Sequence, residues 1–480
     1  MSLLNIIKSC TRGLLFLGTA FLFTFLFIIT SCKKDKEPST ENAAEAGEEL
    51  AGGLATVFDQ TENAFGHSIP GVSIEDNARF VVGNSFFRDN WVIAPSSTAG
   101  RDGVGPLLNT LSCSGCHFKD GRGQPPLDGN DPVSMLMRLS IAGTDIHGGP
   151  LGHPDYGTQL SPNAISGVLP EGTFKITYLP LDGSFDDGEV YQLRKPVYEF
   201  IKLNYGDLGA NVLTSPRVAQ QLPGLGLLEA VDEAVILSYA DENDSDKDGI
   251  SGRPNYVWDE AQNQNVLGRF GWKANQPNIR QQVAGAFSGD MGITSSLFPE
   301  ENLSPIQFQN YANLPNGGTP EIQDDLFDKV VYYTTTLSVP GRRNWTATEV
   351  LRGKQLFTEA KCSKCHIPKM KTGIYRPVKE LSNQEIRPYT DLLLHDMGVG
   401  LADGRPDFLA NGNEWRTPPL WGIGLVKNVN KHTYFLHDGR ARNFQEAILW
   451  HGGEAEQSQK AFKAMSKSDR ASLVKFLESL

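Results

Sequence analysis

Two pentapeptides carry the chemistry of this 480-residue chain: Cys113-Ser114-Gly115-Cys116-His117 and Cys362-Ser363-Lys364-Cys365-His366. Each sets two thiols two residues apart, with an imidazole directly after the second. That spacing is the attachment pattern of c-type haem. The thiols add to the two vinyl groups of one porphyrin, and the adjacent His lies beneath the iron as proximal ligand. Zinc would need four ligands, and no second Cys/His pair stands close to either motif. The two motifs therefore imply two covalent haem c groups. Cys113, Cys116 and His117 would hold one, and Cys362, Cys365 and His366 the other. The chemistry is electron transfer or redox catalysis.

The remaining cysteines fit an exported chain. Lys8 and Arg12 precede a continuous apolar run over residues 13–30, as in a secretory signal. The run ends in Ile29-Thr30-Ser31-Cys32, which resembles a bacterial lipobox. Residues 1–31 are read as a lipoprotein signal peptide, Cys32 as the lipidated N-terminus, and residues 32–55 as a flexible tether. The competing reading is an uncleaved anchor, since the run is borderline for spanning a bilayer. The expected location is a bacterial membrane, on its periplasmic or outer surface. Cleavage would remove two cations and no acids, taking the formal charge from -12 to -14. No thiol is then left for a disulfide. The acidic balance and the lack of any Lys/Arg run argue against nucleic-acid binding. An acidic surface suits a basic electron donor. No phosphate-binding loop or nucleophile elbow is present.

Elements must bring these groups together. Gly83-Asn84-Ser85-Phe86-Phe87 precedes the first motif, and Gly353-Lys354-Gln355-Leu356-Phe357 precedes the second. Small cytochromes carry this pattern on the helix before the haem-binding Cys. Around the second copy, Thr346 and Glu349 suggest a capping box, with Val350, Gly353 and Phe357 on one helical face. Leu326, Val330, Tyr333 and Leu337 form one further apolar stripe, and Leu473, Phe476, Leu477 and Leu480 another. Pro340-Gly341 breaks the chain between the two units. The expected fold is mainly α, with two c-type cytochrome domains, at 56–340 and 341–480. The first is enlarged by a long loop-rich insertion over about 120–320 with some β-structure, as at residues 173–179, wrapped around the first haem.

Asp244-Ser245-Asp246-Lys247-Asp248-Gly249-Ile250 matches the first half of an EF-hand-type loop. Asp244, Asp246, Asp248 and the Ile250 carbonyl would converge on Ca2+. Asn255 stands where the bidentate Glu usually lies, and Asp259 or Glu260 is the alternative twelfth ligand.

These residues resemble the di-haem oxidoreductase family, related to bacterial di-haem cytochrome c peroxidases and to MauG-type enzymes. The resemblance covers nearly everything after about residue 75. It rests most firmly on Leu225-Gly226-Leu227-Leu228-Glu229-Ala230, Gly268-Arg269-Phe270-Gly271-Trp272-Lys273-Ala274, Trp415-Arg416-Thr417-Pro418-Pro419 and Leu436-His437-Asp438-Gly439-Arg440. It implies that electrons enter at the C-terminal haem and pass an intervening Trp to the N-terminal haem, where peroxide is cleaved. On this alignment Trp272 bridges the haems and Gln282 lines the distal pocket. Asp290 stands in for the catalytic Glu. His437 matches the pocket His of a His-Asp-Gly motif. His451, fourteen residues on, matches the distal ligand, so His366 and His451 would clasp the second iron, with Met397 the competing ligand. The first iron would have His147, His153 or nothing as sixth ligand.

The implied function is a peroxidase-like di-haem oxidoreductase. Its partners would be a small reduced carrier of cytochrome or cupredoxin type, hydrogen peroxide or another small oxidant, and the membrane through Cys32. Family relatives also suggest a homodimer. The alternatives are MauG-like oxidation of a partner protein or metal complex, and a non-catalytic electron conduit.

Overall fold

A computed structural model describes residues 43–480 apart from 99, 128–131 and 312. The signal peptide and Cys32 lie outside the described residues. Within them the repeated lead-in becomes a repeated helix crossing. The helix Ile74–Arg88 starts at Ser73, whose hydroxyl accepts from the Asp76 amide, and packs on Asp324–Thr335. Gly83 sits at the crossing, where a Cβ would come 2.0 Å from the Lys329 carbonyl oxygen. The helix Thr348–Glu359 crosses Lys467–Ser479 in the same way, and a Cβ on Gly353 would come 2.1 Å from the Ser472 carbonyl. The lead-in Gly is thus required by backbone approach, and any side chain would force the helices apart.

The lead-in Phe does the second job. Phe87 lies 6.3 Å from the His117 ring, and Phe357 lies 6.1 Å from the His366 ring. Phe87 also packs on Tyr333 and Phe357 on Phe476, at 5.2 and 5.0 Å. Burying each ring contributes about 1.5–3 kcal/mol. The same contact fixes the floor on which each Cys-x-x-Cys-His turn rests.

Three expectations need correction. The Thr346/Glu349 capping box does not form, because Ala347 takes the cap position with no side-chain bond. Leu337 is buried but lies beyond the helix end at Thr335. The fold is mixed, 29% helical and 19% strand, not mainly α. The insertion is the reason. Thr173–Ser184 and Val190–Ile201 form a long antiparallel hairpin. Phe174, Ile176 and Tyr178 alternate with exposed Lys175, Thr177 and Leu179, the period-two pattern of a strand. Met135–Ser140 pairs antiparallel with Leu213–Val218.

The insertion also serves both lobes, rather than wrapping the first haem site alone. Met135, Met137, Phe174, Leu193 and Trp272 share one core with Phe357, Phe462 and Phe476 of the C-terminal segment. The end of the expected tether is likewise packed. Glu48 is 2% exposed and pairs with Arg342 and Lys354, while Ala51 accepts from the Arg387 amide. A buried carboxylate between two cations anchors residues 43–55 against the body. Residues 42–480 form one compact unit, and no helix among the described residues is long and apolar enough to cross a membrane.

Candidate functional site

Each Cys-x-x-Cys-His motif opens onto its own cavity. The first is walled by Cys113, Cys116, His117, Trp272, Gln282 and Asp290. Three local devices assemble it. The helix Ile279–Met291 is capped by Asn278, whose side chain accepts from the Gln281 amide. On it Gln282, Ala286 and Asp290 recur every four residues, which puts them on one face, toward the cavity. The Asp290 carbonyl then accepts from the Asn109 and Thr110 amides, tying that helix to the loop before Cys113. His117 donates its Nδ1 proton to the Gln220 carbonyl at 2.7 Å, which leaves Nε2 with the lone pair. Burial lowers the His117 pKa to about 4, so the ring is neutral.

The Asp290 carboxylate accepts from Gln159 Nε2 at 2.8 Å. Burial pushes its pKa above the ordinary carboxylate range, against the pull of Arg138 and Gln159. A carboxyl so placed can both take and return a proton.

The second cavity is walled by Cys362, Cys365, His366, His395, Met397, His437 and His451. His366 donates Nδ1–H to the Tyr389 carbonyl at 2.9 Å, and His451 does the same to Ala447 at 2.7 Å. Both are left with the lone pair on Nε2. Burial lowers the His366 pKa to about 4 and lowers that of His451 as well. His437 has no such tether. Its ring stacks on Trp415 with centroids 3.8 Å apart, and burial lowers its pKa to about 3. It lies in the second cavity, apart from Asp290, Gln282 and their neighbours.

Trp272, Gln220, Gln221, Arg416 and Pro419 line both cavities and form the wall between them. Trp272 is held rigidly there. Its indole donates to the Val218 carbonyl at 2.9 Å, and its own carbonyl accepts from the Arg416 amide.

These cavities fit haem. All four motif thiols are unpaired. The walls are largely aliphatic and aromatic. Two buried cations, Arg122 and Arg416, line the second cavity and bond only carbonyl and amide oxygens, so neither is neutralised by a carboxylate contact.

Other expected residues fall elsewhere. His147 stacks on Trp258 at 3.9 Å, and both His153 nitrogens are engaged, with Leu208 and Asp155. Neither lines the first cavity, because the loop that carries them folds outside it. In the acidic loop, Asp241, Asp244 and Asp246 gather their oxygens within 4.8 Å of one another. Lys364 pairs with both Asp246 and Asp248, at 3.4 and 2.8 Å, and Asp241 rather than Asp248 completes the cluster. Asn255 is buried and bonds the Lys273 and Asp407 carbonyls, and Asp259 caps the turn at Ala261 and Gln262, so neither serves as twelfth ligand.

Sequence reasoning missed three groups. Arg138 lines the first cavity. His395 lies between Asp391 and Glu454, at 2.8 and 2.6 Å, beside Cys365. Gln159 positions Asp290. Each is placed by strand pairing or long-range packing, which leaves no local signal.

A family model described as "Di-haem oxidoreductase, putative peroxidase" matches residues 46–142 and 174–480. The unmatched stretch between them holds His147 and His153. A search of curated proteins returns no match. Among solved structures, Kuenenia stuttgartiensis hydrazine synthase pressurised with 20 bar xenon aligns at 13% identity over 96% of this chain and 100% of that one, with a TM-score of 0.34. That likeness is too slight to carry an argument.

Proposed function

The chain belongs to the di-haem oxidoreductase family, and from that premise we propose that it is a peroxidase-like enzyme. Two covalently attached haems would be held by Cys113, Cys116 and His117 and by Cys362, Cys365, His366 and His451. A small reduced carrier would give electrons at the second cavity, and hydrogen peroxide would accept them in the first. The observation that carries this reading is that Asp290 and Gln282 share a cavity with the first motif while Trp272 stands in the wall of both.

Haem bound in the first cavity would supply an iron that exchanges electrons with a small oxidant. The protein's own part is proton handling and insulation. Asp290 takes the proton from the peroxide oxygen nearer the centre and returns it to the outer oxygen as the O–O bond breaks. Two electrons from the carrier and two protons from solvent then complete two waters. Gln282 orients the peroxide by hydrogen bonding, and Gln159 holds the Asp290 carboxylate in place. Trp272 gives a fixed aromatic contact through which the cavities communicate.

Calcium belongs to the same proposal, at Asp241, Asp244 and Asp246, with Lys364 released from the loop. Lipidation at Cys32, a membrane-surface location and a homodimer complete it.

Steady-state mixing with a reduced small cytochrome or cupredoxin tests the reaction. The expected result is two carriers oxidised for each peroxide consumed. Peroxide consumption that instead modifies a partner protein, with no carrier oxidised, would favour the MauG-like reaction.

The second centre makes its own prediction. His451→Leu is expected to convert the second haem from low-spin to high-spin in its optical and EPR spectra, while Met397→Leu leaves it low-spin. The reverse pattern would make Met397 the ligand.

A further inference from the structure

We propose that Arg138 is the anion-holding group of the first cavity, and that the small ligand bound there carries or gains negative charge at the atom facing it. This rests on reading that cavity as the place where a small oxidant reacts.

The strand puts Arg138 there. Along Met135–Ser140, Met135, Met137 and Leu139 turn into the core while Leu136 and Arg138 line the cavity. Its backbone is paired on both sides, with Ser215 on one strand and Gln159 on the other. Gln159 is also the residue that donates to Asp290. One backbone register therefore fixes Arg138 relative to the proposed proton carrier.

The neighbouring cations are committed. Arg217 bonds Asp407 at 2.8 Å and Ser215 at 2.9 Å. Arg416 bonds the Gly271 and Thr417 carbonyls and the Gln220 amide oxygen. Arg138 is partly buried, and among the described residues its guanidinium has no hydrogen-bond acceptor and no paired carboxylate. Asp290 lines the same cavity, and no ion pair joins the two among the described residues. A guanidinium that faces a cavity without a paired carboxylate is open to an anion that enters it. Its planar fork of N–H donors suits an oxyanion or a leaving hydroxide. A cavity lined by both a proton carrier, Asp290, and a cation, Arg138, suits a reaction that builds charge on one oxygen while moving a proton.

The same chemistry would suit a carboxylate of the haem itself. The test separates the two sources. The holoprotein with both haems is titrated with fluoride, in the fully oxidised and half-reduced states, and followed by its optical spectrum. Arg138→Leu is expected to weaken fluoride binding by about tenfold or more, with Arg138→Lys between it and the wild type. Binding of neutral imidazole, the control, is expected to change by less than about twofold. Unchanged fluoride affinity in Arg138→Leu overturns the proposal. So does unchanged affinity accompanied by lost haem content or a shifted first-haem potential, which would assign Arg138 to the haem carboxylate. Absence of fluoride binding to the wild type in both states also overturns it. Peroxide turnover is not needed for any arm. Fluoride held through Arg138 in a protein that does not turn over peroxide would sustain this inference and sink the peroxidase reading.

Discussion

Asp290→Asn is expected to lower kcat/KM for hydrogen peroxide by about a hundredfold or more, within the usual range for loss of a positioned acid–base group. Asn keeps the shape of the side chain and can still accept from Gln159. It cannot take a proton. Haem content, the resting spectrum and electron entry at the second centre are therefore expected to stay as in the wild type. The pH profile carries a second signature. Burial raises the Asp290 pKa above the ordinary carboxylate range. The basic form needed for the first proton transfer thus fills as pH rises through a value above that range, and the wild-type rate rises with it. The variant loses this limb. For stability the sign is opposite: a carboxyl with raised folded pKa favours the folded state at low pH, and that contribution is lost as pH rises through the folded value. A variant that keeps most of its activity with an unchanged profile would remove Asp290 from the mechanism.

Asp407→Ala is expected to cost about 3–5 kcal/mol of folding stability, read as a lowered urea midpoint. Asp407 is buried and joins Arg217 at 2.8 Å and Arg405 at 3.2 Å. Beside it Lys273, adjacent to Trp272, is wholly enclosed, and its Nζ meets Asp403 and the Arg405 and Asn411 carbonyls at 2.8–2.9 Å. Removing Asp407 leaves two guanidinium charges buried and uncompensated. The cations lower the Asp407 pKa despite burial. The network therefore stabilises the fold above the ordinary carboxylate pKa and weakens as pH falls toward the lowered folded value. Because Arg217 lines the first cavity and Lys273 adjoins Trp272, this network also holds the wall between the two centres. A cost below about 1 kcal/mol would place it with solvent-screened surface pairs.

What the sequence revealed and what it concealed follow from range. The haem motifs and their Gly and Phe lead-ins are legible because each constraint acts within one helix and one turn. Gln282 and Asp290 are implied by the family resemblance, and the helix that carries them sets them on one face, two turns apart. Arg138 and Gln159 are not, because strand register decides which side chains face the cavity, and a shift of one residue would turn Arg138 away. The mixed fold was underestimated because the long hairpin at 173–201 lies inside a Gly- and Pro-rich stretch. In the acidic loop the motif begins at Asp244, so Asp241, brought to the cluster by the fold of the loop, carries no motif signal.

The central claim is that the first cavity cleaves peroxide while the second supplies electrons. Its most direct test is rapid mixing of half-reduced, calcium-loaded wild-type holoprotein with one equivalent of hydrogen peroxide, followed at the Soret band. The account predicts a fast spectral change that begins at the first haem and draws an electron from the second. No fast change would contradict it, leaving both irons closed and the protein an electron conduit.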